Sequence, residues 1–232
     1  MIGFYDYTVV LTYLSLLSAG GGIVASLSGG GHPYIGCFFL LFCGLCDAFD
    51  GKVARTKPGR TKTEQDFGIQ IDSLSDIVAF GVLPACIGTA LIRTSPALHT
   101  SLRDHAGRWQ VLLGLFLLHA VLVLYILAAL IRLAYFNVTE EERQSKEPGA
   151  RTHYVGLPVT AASLIFPFVL LLQYILPADI TLVYIAVTVL TGFLFLFRFQ
   201  VRKPGLRGIL IMVAFGVAEF VLLLLWKGMA RL

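Results

Sequence analysis

The sequence predicts an all-α, polytopic membrane helix bundle, and three observations carry that prediction. Hydrophobic residues form 57% of the 232 positions, charged residues only 14%, and mean hydropathy is +0.81, far from an ordinary soluble domain. Apolar runs recur along the whole length, each near the roughly 20 residues that a spanning helix takes. Lys and Arg gather in alternate connecting segments, as in a chain that crosses a bilayer back and forth. Open-edged sheets cannot sit in hydrocarbon, so the runs are read as helices. One domain over 1–232 is expected, with six core helices and one extra C-terminal helix near 206–226.

Seven candidate spans follow in order: 7–27, 33–54, 68–92, 109–136, 155–176, 180–199 and 206–226. The N-terminus lacks a basic stretch and a small-residue cleavage site, so the first span is expected to stay as a helix. It carries Thr8, Thr12 and Ser15 along one face. The second span ends in a polar block, and the third is expected to begin near Phe67. Pro84 lies within the third and should kink it, because proline removes a backbone hydrogen bond. His99, Arg103, Asp104 and His105 mark a solvated link, and His119 is read as a packed core residue. The segment 139–151, TEEERQSKEPGAR, reads as a mixed-charge loop. Cys37, Cys43, Cys46 and Cys86 all lie in apolar stretches; Cys43-x-x-Cys46 has no second pair, so packing is expected. Glu219 is an ionisable group within the last span and stays unassigned.

Placing the loop 52–62 in the cytosol makes 13 of the 18 Lys and Arg cytosolic. They are Lys52, Arg55, Lys57, Arg60, Lys62, Arg132, Arg143, Lys146, Arg151, Arg198, Arg202, Lys203 and Arg207. The modest net charge of +4 thus describes membrane orientation, and nucleic acid is not expected as a partner. The group Arg198–Arg207 also suits anionic headgroups.

The chemistry is concentrated in 46–84. Asp47 and Asp50 stand three apart, Asp72 and Asp76 four apart, so each pair shares one helix face. A carboxylate inside apolar helix stays only if something compensates it, and four together call for a cation. No His stands near them, which favours hard, oxygen-liganded Mg²⁺ or Mn²⁺ over Zn²⁺. Gly51 and Ala54 leave one side of their helix bare for a flat or phosphorylated ligand, and Arg55 offers a fork for phosphate oxygens. The pattern points to metal-assisted phosphoryl chemistry in a membrane.

The order Asp47-x-x-Asp50-Gly51-x-x-Ala54-Arg55, then Gly68-x-x-x-Asp72-x-x-x-Asp76, resembles the signature of the CDP-alcohol phosphotransferases. One departure is clear: twelve residues separate Arg55 from Gly68, where the family spacing is shorter, around eight or nine. The surplus falls in TKPGRTKTEQDF, whose Pro-Gly turn and charges mark a loop that tolerates insertion. The helix end RLAYFNV, the start YVGLPVTAA and the run DSLSDIVAFGVLPA are similar to the phosphatidylserine synthase branch.

That resemblance implies transfer of a phosphatidyl group from CDP-diacylglycerol to L-serine, releasing CMP, by a homodimer in the cytoplasmic membrane with its site facing the cytosol. It implies two divalent ions on Asp47, Asp50, Asp72 and Asp76, with Asp76 as general base. Gly51, Ala54, Arg55 and Gly68 would line the nucleotide, joined by Thr12, and Arg132 is the candidate for the serine carboxylate. On bottom-up grounds Arg132 needs no ligand, since a cation near a helix end can snorkel to the interface. Two alternatives stay open: another acceptor (glycerol phosphate, an inositol phosphate or choline), or a cation transporter, whose helices also pair aspartates.

Overall fold

The structure is a computed structural model that describes residues 3–98, 100, 108–146, 153–174, 179–202 and 206–229. Its helices are α1 (Val10–Leu27), α2 (Pro33–Ala54), α3 (Lys62–Asp76), α4 (Leu83–Thr94), α5 (Arg108–Lys146), α6 (Ala162–Leu171), α7 (Thr181–Leu196) and α8 (Leu206–Met229). A π-helical turn, Ile77–Val82, joins α3 to α4 into one rod. Four stretches are long and apolar enough to cross a membrane: Val10–Leu27, Pro33–Ala54, Lys62–Thr94 and Trp109–Arg143. Shorter apolar helices, Val159–Leu171, Thr181–Leu196 and Gly208–Leu222, coincide with the other three expected spans. The all-α polytopic bundle is what the sequence led one to expect.

Several details depart from expectation, each for a local reason. The helix α3 starts at Lys62, ahead of Phe67, because Thr61 and Glu64 form a capping box. Thr61 Oγ1 accepts from the Glu64 amide at 3.2 Å, and Glu64 Oε2 accepts from the Thr61 amide at 2.7 Å. The helix α5 runs on to Lys146, so 139–146 is helix and not loop. Arg143 pairs with Glu140 one turn away at 2.7 Å, which helps carry it into water. Two short strands, β1 (His153–Val155) and β2 (Gln200–Arg202), pair antiparallel and tie the segment before α6 to the end of α7. Among the described residues of the fifth span, α-helical geometry covers Ala162–Leu171, with 3-10 turns Val159–Ala161 and Leu172–Tyr174 at its ends.

Pro84 explains the centre of the bundle. Proline has no N–H, so the carbonyl four residues earlier, Phe80, loses its helical donor. In a bilayer such a carbonyl must find another partner. The chain answers in two ways. The preceding turn widens to π, with the Leu83 amide bonding the Val78 carbonyl, and the Tyr125 hydroxyl of α5 donates to the Phe80 carbonyl at 2.7 Å. Tyr184 of α7 does the same for the Pro84 carbonyl at 2.7 Å. These two tyrosines, with Phe166 and Phe195, form an aromatic cluster with centroids 4.9–5.6 Å apart. All four rings are buried in the main core.

The four cysteines are free, and Cys37, Cys43 and Cys46 are buried, in line with packing. His119 Nδ1 meets the Leu115 carbonyl of its own helix at 2.8 Å. His99, Arg103, Asp104 and His105 lie outside the described residues, as do Arg151 and Lys203. Glu219 is buried on α8, which packs against α2 and α6. Among the described residues its two carboxylate oxygens have no hydrogen-bond partner.

Candidate active site

The site forms where the C-terminal end of α2 meets α3. Gly44, one turn before Asp47, lets α6 settle on α2: a Cβ there would collide with Ser163. Between α1 and α3, Ser75 donates to the Thr12 carbonyl at 3.3 Å. On the other side of α3, the Asn137 amide of α5 donates to Ser73 Oγ at 2.7 Å. Ser73 and Ser75 flank the aspartate positions, so neighbouring helices hold α3 in register on both sides.

Within that frame, one carboxylate oxygen each of Asp47, Asp50 and Asp72 lies within 4.8 Å of the others. Two helices thus bring together three of the four aspartates that the spacings marked. Asp76, one turn deeper, is 9% exposed and within electrostatic reach of the other three. It is not part of the tight group of three. Asp50 also accepts from the Gly51 amide, which fixes its rotamer. The donor set is all oxygen and strongly anionic. An octahedral Mg²⁺ with ligands at about 2.1 Å spans about 4.2 Å across, so three oxygens this close fit a hard divalent ion after small side-chain adjustment.

The mouth is built from the α2–α3 connection. Pro58–Gly59 makes a turn with Gly59 at φ +70°, the left-handed position that glycine takes after proline in a type II turn. Lys57 bonds Asp6 Oδ2 at 2.5 Å and Glu64 Oε1 at 2.8 Å, tying the segment before α1 to α3. The Lys57 ammonium, with the hydroxyl and amide of Thr8, holds the Asp6 carboxyl at about 2, below its ordinary 3.8. Phe4 and Phe67 meet edge to face at 5.2 Å and close the same corner. Arg55 is exposed, and its Nη1 lies 3.3 Å from where a Gly51 Cβ would stand. Arg60 covers Gly68 in the same way, with Nη2 2.8 Å from the Cβ position. Lys52 Nζ is buried, has no hydrogen bond among the described residues, and sits 5.2 Å from the Phe49 ring centroid.

Arg132 requires a correction. With α5 extended to Lys146 it lies mid-helix, is 6% exposed, and does not snorkel. Its Nε donates to the Leu157 carbonyl at 3.1 Å, and its guanidinium stands 5.7 Å from the Phe136 ring centroid. It lines a cavity of about 190 Å³ together with Tyr135, Val155, Phe197 and Arg198, whose walls include none of the four aspartates. Asn137, Lys57, Arg60 and Tyr125 were not singled out from sequence. Thr61-x-x-Glu64 and the carbonyl four residues before Pro84 were the signals that would have led to two of their contacts.

Comparison with known proteins identifies the family. Residues 8–194 match the family model described as CDP-alcohol phosphatidyltransferase. A protein of Helicobacter pylori named CDP-diacylglycerol–serine O-phosphatidyltransferase is 27% identical over 196 residues, covering 83% of this chain and 68% of its own. The archaetidylserine synthase of Methanothermobacter thermautotrophicus is 30% identical over 178 residues, 76% of this chain and 64% of its own. A Saccharomyces cerevisiae protein with the same name as the first is 28% identical over 156 residues, 63% and 48%. The helix α8 lies beyond the matched family segment. With the signature aspartates gathered at one end of an apolar bundle and the family model spanning 8–194, this chain is an integral membrane protein of the CDP-alcohol phosphatidyltransferase family.

Proposed function

We propose that the chain transfers the phosphatidyl group of CDP-diacylglycerol to the hydroxyl of L-serine, forming phosphatidylserine and CMP. The convergence of Asp47, Asp50 and Asp72 from two helices, with buried Asp76 beside them, carries this reading. The serine acceptor is supported by the names of relatives that cover most of the chain. Family members generally use divalent metal, and two ions of Mg²⁺ or Mn²⁺ on the four aspartates are part of the proposal. When bound, they would neutralise charge on the diphosphate and the departing CMP.

The chain's own residues divide the remaining work. Asp76 stands outside the tight group of three, so its carboxylate is available to take the proton of the serine hydroxyl. The serine oxygen then bonds the phosphatidyl phosphorus, and the bond from that phosphorus to the bridging oxygen breaks. CMP leaves with that electron pair. Gly51, Ala54 and Gly68 leave backbone bare for the nucleotide, Arg55 reaches its phosphates, and Thr12 borders the site from α1 through its contact with Ser75. For the serine carboxylate we assign Arg132. It sits five residues before Asn137, about 7.5 Å along the helix, and Asn137 is bonded to Ser73 beside Asp72. The site is taken to face the cytosol of a cytoplasmic membrane, where most Lys and Arg fall and CMP can leave into water. A homodimer is included on family resemblance.

Purified protein in detergent, given CDP-diacylglycerol and Mg²⁺ or Mn²⁺, should release CMP only when L-serine is present. CMP with a different alcohol alone would move the acceptor. No CMP with any alcohol would remove the transfer reading.

A further inference from the structure

The connection from Arg55 to Gly68 is longer than is usual in the family, and the structure shows where the added length goes. The Pro58–Gly59 turn sends Lys57 toward Asp6 and Glu64, and folds Arg60 back onto the groove between α2 and α3. Arg60 Nη1 donates to the Ala54 carbonyl at 3.4 Å and Nη2 to the Glu64 carbonyl at 3.0 Å. Its guanidinium occupies the space that Gly68 leaves by having no Cβ. Both motif glycines therefore carry a guanidinium, Arg55 over Gly51 and Arg60 over Gly68. Only Arg55 belongs to the family pattern.

The partners of Arg60 are weak ones for a cation. Both are neutral carbonyls, and one is at the long limit of a hydrogen bond. Among the described residues Arg60 takes part in no ion pair, and its Nε is buried without a hydrogen bond. A guanidinium offers five N–H donors in a flat fork that matches phosphate. A nucleotide laid on Gly51 and Gly68 would need the space Arg60 now fills. Once displaced, the fork lies next to the diphosphate that the same nucleotide carries.

We propose that Arg60 is a second donor-binding cation beside Arg55, resting on Gly68 and turning its N–H groups onto the diphosphate when a nucleotide-linked lipid takes the glycine face. This rests on the transfer reading above for its ligand, not for its geometry. The ligand class is a cytidine diphosphate, alone or esterified to diacylglycerol.

The test uses full-length protein in detergent with Mg²⁺. Binding of CDP is measured by calorimetric titration, and KM and kcat for CDP-diacylglycerol by CMP release. Arg60→Gln removes the charge and loses only two contacts to neutral carbonyls, so it should unfold close to the wild-type temperature. It should weaken CDP and raise KM by about tenfold with kcat within about twofold, the loss expected for one charge-assisted contact. Arg60→Lys should recover part of the loss, and added salt should weaken CDP binding less in Arg60→Gln than in wild type. Unchanged or tighter CDP binding in a folded Arg60→Gln protein would make Arg60 a strut or a plug and overturn the proposal. If Arg60→Gln does not fold, Arg60→Lys decides: CDP affinity equal to wild type overturns it, and a loss of about threefold supports it. A wild type that binds CDP through Arg60 but releases no CMP would sink the transfer reading alone. A wild type that turns over normally beside an indistinguishable Arg60→Gln would sink Arg60 alone.

Discussion

The rod of 62–94 serves two ends by opposite means. Toward its start, Asp72 meets Asp47 and Asp50 of α2 in a tight group of carboxylates, with buried Asp76 one turn deeper. In the π turn and just past it, Phe80 and Pro84 are buried in an aromatic centre where the carbonyl of each accepts from a tyrosine hydroxyl. The first end gathers like charges, which a bound cation would offset. The second pairs its carbonyls within the protein, because a polar group buried among apolar side chains is costly to leave without a partner. The difference separates residues whose loss removes activity from those whose loss removes stability.

The sharpest break in that contrast comes from the aspartates. Asp76→Asn should lower kcat by about 10²–10⁴-fold, with donor binding and unfolding temperature nearly unchanged. If CDP-diacylglycerol binding disappears as well, Asp76 is a metal ligand only. At the aromatic end, Tyr125→Phe strands the Phe80 carbonyl and should destabilise the fold by about 1–3 kcal/mol, with kcat within about twofold. Thermal unfolding in detergent reads this directly, and an unchanged midpoint would mean that the π turn alone satisfies that carbonyl.

Gly44→Ala lies between the two ends. The added methyl meets Ser163, pushes α6 off α2 just before Asp47, and should cost about 1–3 kcal/mol while also lowering activity. A loss in only one of the two would place the contact wholly on that side. The smallest effect concerns Asp6. Its carboxyl is held near 2, so the Lys57 contact is intact above the ordinary 3.8 and is lost as pH falls through about 2. Asp6→Asn should therefore flatten the fall in unfolding temperature between pH 4 and pH 2, and leave the curve near neutrality displaced only slightly. A wild-type curve that Asp6→Asn does not change in this window would show that the contact contributes nothing measurable.

Much of this molecule was legible from sequence, for definable reasons. Hydrophobic run length located the seven apolar helical stretches found among the described residues, because bilayer thickness leaves few alternatives. Helical periodicity alone put Asp47 with Asp50 and Asp72 with Asp76 on shared faces. The start of α3 was misplaced because charged residues near Lys62 read as loop, although Thr61 and Glu64 carry a capping signal. The end of α5 was misplaced because polarity was taken for irregular structure, whereas a helix can leave the membrane and continue in water. Arg132 was expected at the interface for the same reason: its depth depends on where α5 ends.

By itself the sequence determined that the chain crosses a membrane as helices, which carboxylates share a face, and where proline would leave a carbonyl without a donor. Those follow from local rules of length, period and missing N–H groups. Only the tertiary structure decided that Asp47 and Asp50 of one helix and Asp72 of another close to within 4.8 Å, that Tyr125 reaches Phe80, and that Arg60 lies on Gly68. Each depends on how helices far apart in sequence, or a turn folding back on them, meet in space, and no local period encodes that distance.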